Sequence, residues 1–330
     1  MENHTPPFTI TNRMVASVSQ ISEKLGHISN YREFESRPHL RRNNRIRSIH
    51  SSLAIEANSL SLDAVRGVID GKTIIGLHKE IQEVRNAFQA YEQLGKFNPY
   101  SLEDLKSIHG IMTYLTVDES GAFRQGEEGV FEGDRCIFMA PPAKLVPDLM
   151  DSLFEWMRKA SKEIHPLILS SVFHYEFVFI HPFADGNGRM ARLWQTSLLS
   201  QWNPVFQYLP IESRIHEFQA DYYEAIARCH GIGSSDLFIE FMLDKINETL
   251  DLALMQALSA NAYLSEYVRR LLNAMEHDVP YTATQIMMAL HLKSKETLRK
   301  NYINPALEMG LIVMGIPDRP TSRNQTYIRK

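Results

Sequence analysis

Apolar residues recur at three- and four-residue spacing along Glu80 to Leu94, Ser101 to Met112 and Val146 to Lys159, which predicts helices that each bury one face. Ser101 with Asp104, two residues after Pro99, marks a helix start. From Leu167 to Ile180 the chain is almost wholly Leu, Ile, Val, Phe and Tyr, which suits a helix buried on nearly all sides. Ser234-Ser235-Asp236 opens a further helix through Phe238, Phe241, Met242 and Ile246. The stretch Gly129 to Ala140 breaks the pattern. Val130-Phe131 and Cys136-Ile137-Phe138 flank Glu132-Gly133-Asp134, which predicts a β-hairpin, and Pro141-Pro142 ends it. A lone hairpin is marginal by itself, so this one must lean on the helices or act as a flap.

Beyond His277-Asp278-Val279-Pro280 the character changes. Thr282 and Gln285 form a capping-box pattern before Ile286 to Leu290. The turn His291 to Ser294 leads to a second helix carrying Leu298, Tyr302, Ile303, Ala306, Leu307 and Met309, which Gly310 stops. Leu311 to Val313 and Gln325 to Ile328 then read as two strands around a Pro-containing loop. Helix, turn, helix and a two-stranded wing is a winged-helix pattern.

Hydrophobic residues make up 44% of the 330 and charged ones 22%, ample for a core and suggestive of two or three domains. The net charge of −4 excludes the whole molecule as an electrostatic binder of nucleic acid or anionic membrane. It is unevenly spread. Eight basic against three acidic residues give Tyr281 to Lys330 a net +5, leaving −9 for the rest. Two cysteines, Cys136 and Cys229, are too few for a disulfide scaffold and fit a reducing compartment. The N-terminus lacks a basic-then-apolar leader, and Val172 to Phe183 is too short and too interrupted to span a bilayer. A soluble cytoplasmic protein is expected, with no membrane partner.

The candidate chemistry lies in His181-Pro182-Phe183-Ala184-Asp185-Gly186-Asn187-Gly188-Arg189 through Arg192. Two glycines between the buried helix and a second helical run let the backbone approach a ligand closely. The free N–H groups of the helix they open form an anion cradle, and phosphate is the usual occupant. Arg189 and Arg192 share a face of the first turn, where the helix dipole disfavours cations unless an anion is bound. Asp185 adds a carboxylate beside the same anions, as expected where Mg²⁺ is shared with phosphate oxygens. His181, mostly neutral at pH 7, could accept a proton from an attacking hydroxyl. A lone Gly-Asn-Gly is a common turn, and a lone His before Pro is more often structural. Chance occurrence of all eight specified positions in such a chain is on the order of 10⁻⁸.

The pattern His-Pro-Phe-x-x-Gly-Asn-Gly-Arg-x-x-Arg resembles the signature of the Fic family. The resemblance implies an all-α fold: a Fic-domain helical bundle with a β-hairpin flap, here followed by a small C-terminal winged-helix domain. It implies AMP transfer from ATP to a Ser, Thr or Tyr hydroxyl, with His181 as general base and Asp185 as Mg²⁺ ligand. Gly186, Asn187 and Gly188 would form the phosphate anion hole, with Arg189 and Arg192 as phosphate contacts. Gly121-Ala122-Phe123-Arg124, the hairpin, and Pro141-Pro142 with Val146 to Met150 resemble the family's flap and the helix after it. A target segment could pair with the hairpin edge and place its hydroxyl near His181.

Ser51 to Asn58 resembles the family's inhibitory helix, with Ser52 and Glu56 four apart on one face. A carboxylate reaching Arg192 would occupy its guanidinium, bidentately where geometry permits, and exclude the γ-phosphate. Ala57 stands where glycine is usual, and alanine can stay helical there. In some members the same Glu supports AMP removal, which makes de-AMPylation the alternative activity. Tyr222 and Tyr223 resemble a segment near the nucleotide base, where stacking on adenine competes with core packing as an explanation.

The expected organisation is 1–100, an N-terminal helical region with the inhibitory helix around 45–60; 101–260, the catalytic core with its flap at 129–140; and 261–330, the winged helix. The expected partners are a target protein docked on the flap, or the chain itself as acceptor, and DNA or protein at the winged helix through Lys295, Arg299, Lys300, Arg319 and Arg323. A homodimer is left open.

Overall fold

The computed structural model describes residues 5–30, 38–132, 135–262, 265–276, 278–320 and 322–329. The hairpin turn at Gly133 and Asp134, and His277, lie outside the described residues. The helices in chain order are α1 (Asn12–Asn30), α2 (Pro38–Ile55), α3 (Leu62–Ile69), α4 (His78–Tyr91) and α5 (Leu102–Met112). After the strands β1 (Gly129–Glu132) and β2 (Arg135–Met139) come α6 (Val146–Ala160), α7 (Pro166–Ile180) and α8 (Asn187–Trp202). Then follow α9 (Ile211–Glu217), α10 (Gln219–Ile232), α11 (Asp236–Ala262) and α12 (Glu266–Asn273).

The chain divides into two compact units, residues 1–27 with 41–251, and residues 28–40 with 252–330. In the first, α7 and α8 form the buried centre. Leu169, Phe173 and Phe177 of α7 and Met190, Leu193 and Trp194 of α8 belong to one cluster. That cluster also takes in Ile49 and Leu53 of α2 and Val84 of α4, so the N-terminal helices share the core of the motif-bearing ones. The Leu167–Ile180 run is buried all round, as its composition demands. Ser101 caps α5 by accepting from the Asp104 amide at 3.2 Å. β1 and β2 pair antiparallel, Val130 opposite Phe138, with a register irregularity between Val130 and Phe131. No described helix is long and apolar enough to cross a membrane.

The second unit has its own core, including Leu271, Ile286, Leu298, Tyr302 and Tyr327. The capping box at Thr282 and Gln285 opens α13 (Ala283–Ala289), and Gly310 ends the second helical run in a left-handed turn. That run differs from a regular helix. Lys295–Thr297 passes into a π-helical stretch, Leu298–Ile303, before Asn304–Glu308. Pro305 has no N–H to give the Asn301 carbonyl, so the turn before it widens. The two strands expected after it, β4 (Ile312–Met314) and β5 (Thr326–Arg329), are joined by a third, β3 (Pro280–Thr282). The sheet order is β3-β5-β4, antiparallel throughout. Gln325 closes the loop between β4 and β5, its Nε2 donating to the Ile316 carbonyl (2.8 Å) and its Oε1 accepting from the Ile316 amide (2.9 Å).

Candidate functional site

α7 ends at His181, which adopts the left-handed conformation (φ 51°, ψ 59°) while its amide still donates to Phe177 O at 3.0 Å. A β-carbon makes that conformation cost roughly 1 kcal/mol or more, so the surroundings must hold it. The ring's Nδ1 lies 3.2 Å from Val178 O. A carbonyl can only accept, so Nδ1 carries the proton and Nε2 keeps a free lone pair. Burial lowers the pKa of the ring, opposed by the Val178 carbonyl and the carboxylates of Glu128 and Glu56. It is therefore neutral at pH 7.

The loop after His181 is fixed from both ends. Phe183 is fully buried, its ring 3.6 Å from that of His109 and within 5° of parallel. Asn187 staples it: Oδ1 accepts from the Phe183 amide (2.9 Å) and Nδ2 donates to the Phe183 carbonyl (2.6 Å). Both polar ends of Asn187 are thereby engaged with Phe183, and its backbone amide is left for a ligand. His109 Nδ1 accepts from the Gly121 amide (3.0 Å), so its Nε2–H donates to Asp185 O (3.0 Å). Burial pulls the pKa of His109 down to about 4, which keeps this tautomer neutral. Gly186, at φ 83°, makes the turn that opens α8.

At that opening the charged groups converge. Asp185 Oδ1 accepts from the Gly186 amide and from Arg189 (2.8 Å), and its Oδ2 lies 3.8 Å from Lys79 Nζ. Arg189 is buried, with Glu83 of α4 at 3.8 Å. The other oxygen of Glu83 accepts from Asn58 (2.8 Å). Arg192, also buried, donates from Nε to Ser52 Oγ (3.0 Å) and from Nη2 to Ser52 O (2.9 Å) and Glu56 Oε1 (2.8 Å). The bidentate Glu56 pairing allowed for in the sequence is not formed. One carboxylate oxygen meets one nitrogen, while Ser52 takes Nε and shares Nη2, and Nη1 is left without a hydrogen bond. Glu56 also fills the glycine turn, for a Cβ built on Gly188 would run into Glu56 Oε1. Nε and Nη1 of Arg189 and Nη1 of Arg192 are buried without a hydrogen-bond partner. Beneath them Glu212 accepts from Tyr91 (2.8 Å) and Ser48 (2.7 Å), so α2 is seated through hydroxyls.

Two sequence expectations change. Ala57 does not stay helical. α2 ends at Ile55, Ala57 takes φ 65°, and the Asn58 amide closes the turn on Leu53 O at 3.1 Å. Alanine thus occupies the conformation that glycine adopts more cheaply. Tyr222 is not placed to stack on a base. It is 2% exposed, its ring is enclosed by His174, Tyr223, Phe238 and Phe241, and its hydroxyl meets His174 Nε2 at 2.9 Å. Tyr223 is 46% exposed and donates to Ile55 O at 3.3 Å, beside Gln219 at 3.1 Å. The Tyr223 and Gln219 side chains together cap the free carbonyl end of α2.

Among the described residues no cluster of three or more His, Cys, Asp or Glu could hold a metal ion. The lone Asp185, with Oδ2 facing only a distant ammonium, fits Mg²⁺, which binds through one or two carboxylates and keeps its remaining positions for water and phosphate. Lys79, Glu83, His109, Arg124 and Glu212 were not singled out as site residues from sequence. Each reaches the site across a long chain separation; Glu83 and His109 stood in stretches read only as helices, and only Arg124 in a segment that carried the family resemblance.

The Fic/DOC family model matches residues 99–199, and the model described as "Filamentation induced by cAMP protein Fic-like, C-terminal domain" matches residues 266–328. The crystal structure of a Fic family protein from Desulfovibrio desulfuricans G20 is 42% identical, with a TM-score of 0.75, over 99% of this chain and 98% of that one. The chain belongs to the Fic family. Curated relatives named protein adenylyltransferase Fic are 28% identical over 214 residues in Nematostella vectensis and 30% over 222 residues in Culex quinquefasciatus. These alignments cover 62% and 63% of this Fic chain but only 47% and 41% of the relatives, so it spans less than half of their length.

Proposed function

We propose that this Fic protein transfers AMP from ATP to a Ser, Thr or Tyr hydroxyl of a target protein or of itself, and that Glu56 inhibits the transfer. One observation carries the reading: the Glu56 carboxylate lies against Gly188 and on Arg192, at a helix opening where Arg192 Nη1 and Arg189 Nε are buried without a hydrogen-bond partner. Buried donors left unpaired are expensive, and an anion larger than one carboxylate would satisfy them. The name that the curated relatives carry supports the same reaction class.

In the transfer, His181 Nε2 accepts the hydroxyl proton as the hydroxyl oxygen attacks the α-phosphorus. The bond to the bridging oxygen breaks and pyrophosphate leaves. The amides of Asn187 and Gly188, in the turn made by Gly186, and the side chains of Arg189 and Arg192 hold the phosphates and take up the developing charge. Asp185 would hold Mg²⁺, which neutralises phosphate charge when bound. Tyr223 lies at the edge where the base would sit, and the hairpin edge docks the target segment. The setting proposed is the cytoplasm.

Intact mass after incubation with ATP and Mg²⁺ tests this on wild type, Glu56→Gly and Glu56→Gly/His181→Ala. An AMP adduct on Glu56→Gly, little on wild type and none on the double variant is expected. No adduct on any, with AMP removed from a modified protein by wild type but not by Glu56→Gly, would point instead to de-AMPylation.

A second reading concerns the C-terminal unit as a winged helix on duplex DNA. Lys295, Arg299 and Lys300 are exposed on the second helical run, and Arg319 and Arg323 on the loop closed by Gln325. DNA affinity that falls steeply with salt supports it, and salt-independent binding to a protein replaces it.

A further inference from the structure

We infer that Arg124 is a positioning residue that locks the flap to the backbone of the general base; this rests on the transfer reaction proposed above. Arg124 is 3% exposed, and each of its side-chain nitrogens reaches a main-chain carbonyl. Its amide donates to Pro182 O at 2.9 Å and its Nε to His181 O at 2.7 Å. Nη1 donates to Gly126 O at 2.7 Å, and Nη2 to Pro141 O with a longer contact to Ile180 O at 3.5 Å. Gly126 and Pro141 are the two stems of the hairpin. Ile180, His181 and Pro182 are the end of α7 and the left-handed turn that aims the imidazole. One planar fork thus spans both sides of the cleft in which the acceptor hydroxyl must lie.

The physics favours arginine alone here. Burying a cation is costly unless its donors are satisfied, and the carbonyls of Gly126, Pro141, Ile180 and His181 do that. Those of Ile180 and His181 also carry the negative end of the α7 dipole. The left-handed His181 needs outside support, and Arg124 grips the carbonyls on both sides of the next residue, His181 O and Pro182 O. A lysine keeps the charge but offers a single tetrahedral nitrogen in place of the fork, and cannot serve both hairpin stems and His181 together. No phosphate-binding group among Gly186, Gly188, Arg189 and Arg192 is touched. Nucleotide binding and catalysis should therefore separate.

The test is Arg124→Lys in the full chain, built on Glu56→Gly and compared with that parent. The expected result is a fall in kcat of about 100-fold, the scale set by a misplacement near 1 Å, with KM for ATP changed less than about threefold. Amide exchange should quicken in the hairpin peptides flanking residues 126 and 141 and in the peptide ending at 183, and stay unchanged in the peptide covering 187–200. Unchanged kcat, equal losses in ATP binding and kcat, exchange raised across the whole chain, or a variant that does not fold would each overturn the assignment in favour of a structural arginine. Should the Glu56→Gly parent make no adduct, the transfer reading fails. The exchange pattern still decides whether Arg124 ties hairpin to base.

Discussion

The motif loop and the Ser52–Glu56 segment meet at Gly188, yet the contacts that hold them differ in range. Within residues 181–189 the bonds are local: Asn187 to Phe183 and Arg189 to Asp185 each span four residues. The Ser52–Glu56 segment is held across the chain. Ser52 and Glu56 meet Arg192 over separations of 140 and 136 residues, and Gln219 and Tyr223 hold the end of α2 from α10. The loop is also tied from outside, by His109 to the Asp185 carbonyl and by Arg124 to the His181 and Pro182 carbonyls. At the site α2 reaches α8 through Ser52 and one half-exposed carboxylate, while Ile49 and Leu53 of the same helix are packed in the shared core.

The sharpest way to break the comparison is His181→Ala in the Glu56→Gly background. Transfer should fall by about 10² to 10⁴, the usual worth of a positioned base, with ATP affinity by calorimetry unchanged. Lost affinity would mean that His181 also holds the shape of the loop.

Next in size is the brake. Glu56→Gly should raise initial rates at least about tenfold, equivalent to about 1.4 kcal/mol. Ser52→Ala removes one hydrogen bond to Arg192 but leaves the Ser52 carbonyl in place, so it should release less, about two- to fivefold, for a loss near 1 kcal/mol. Equal effects would mean that the helix, and not the carboxylate, does the blocking.

The pH dependence should expose the local network. His109 titrates near 4 when folded and near 6.5 when unfolded, so between those values the unfolded chain binds more protons and stability falls as pH falls. From pH 7 to 5 the loss should be about 2 kcal/mol, and His109→Phe, which keeps the stack on Phe183, should flatten that part of the curve in denaturant titrations. The transfer rate should follow His181 itself, rising with pH to a plateau with a midpoint below 6.5.

The smallest effect is expected at Ala57. Its φ of 65° is costly for a residue with a β-carbon, so Ala57→Gly should stabilise the turn by up to roughly 1 kcal/mol. Thermal unfolding should rise by about 2–4 °C, and the basal transfer rate should drop as the brake seats better. A lower melting temperature would show that the turn is held by something other than backbone conformation.

The sequence carried more of the site than of its support. The eight motif positions and the Ser52–Glu56 spacing were legible because their meaning lies within one or two helical turns. Capping at Ser101 and Thr282 was legible for the same reason. The π-helical stretch was not, although Pro305 was in view, because a proline can end a helix as readily as widen it. Strand β3 was missed because three residues carry no usable period. Tyr222 and Tyr223 are adjacent and alike in sequence, yet one is sealed in the core and the other is half open. A helical position alone does not say which of two neighbouring faces is covered.

What the sequence by itself determined is the local chemistry: a glycine turn opening a helix, two arginines on one face of its first two turns, a carboxylate beside them and a neutral histidine ahead. Spacing within a helix fixes which side chains share a face, so the order of residues along the chain suffices to group them. Only the tertiary structure decided which groups complete them. Arg124 bridging the hairpin stems to His181, His109 bonded to both Gly121 and Asp185, and Glu56 lying on Gly188 all join segments far apart in the chain. Such contacts follow from how the helices pack around α7 and α8, and no periodicity along the chain records that.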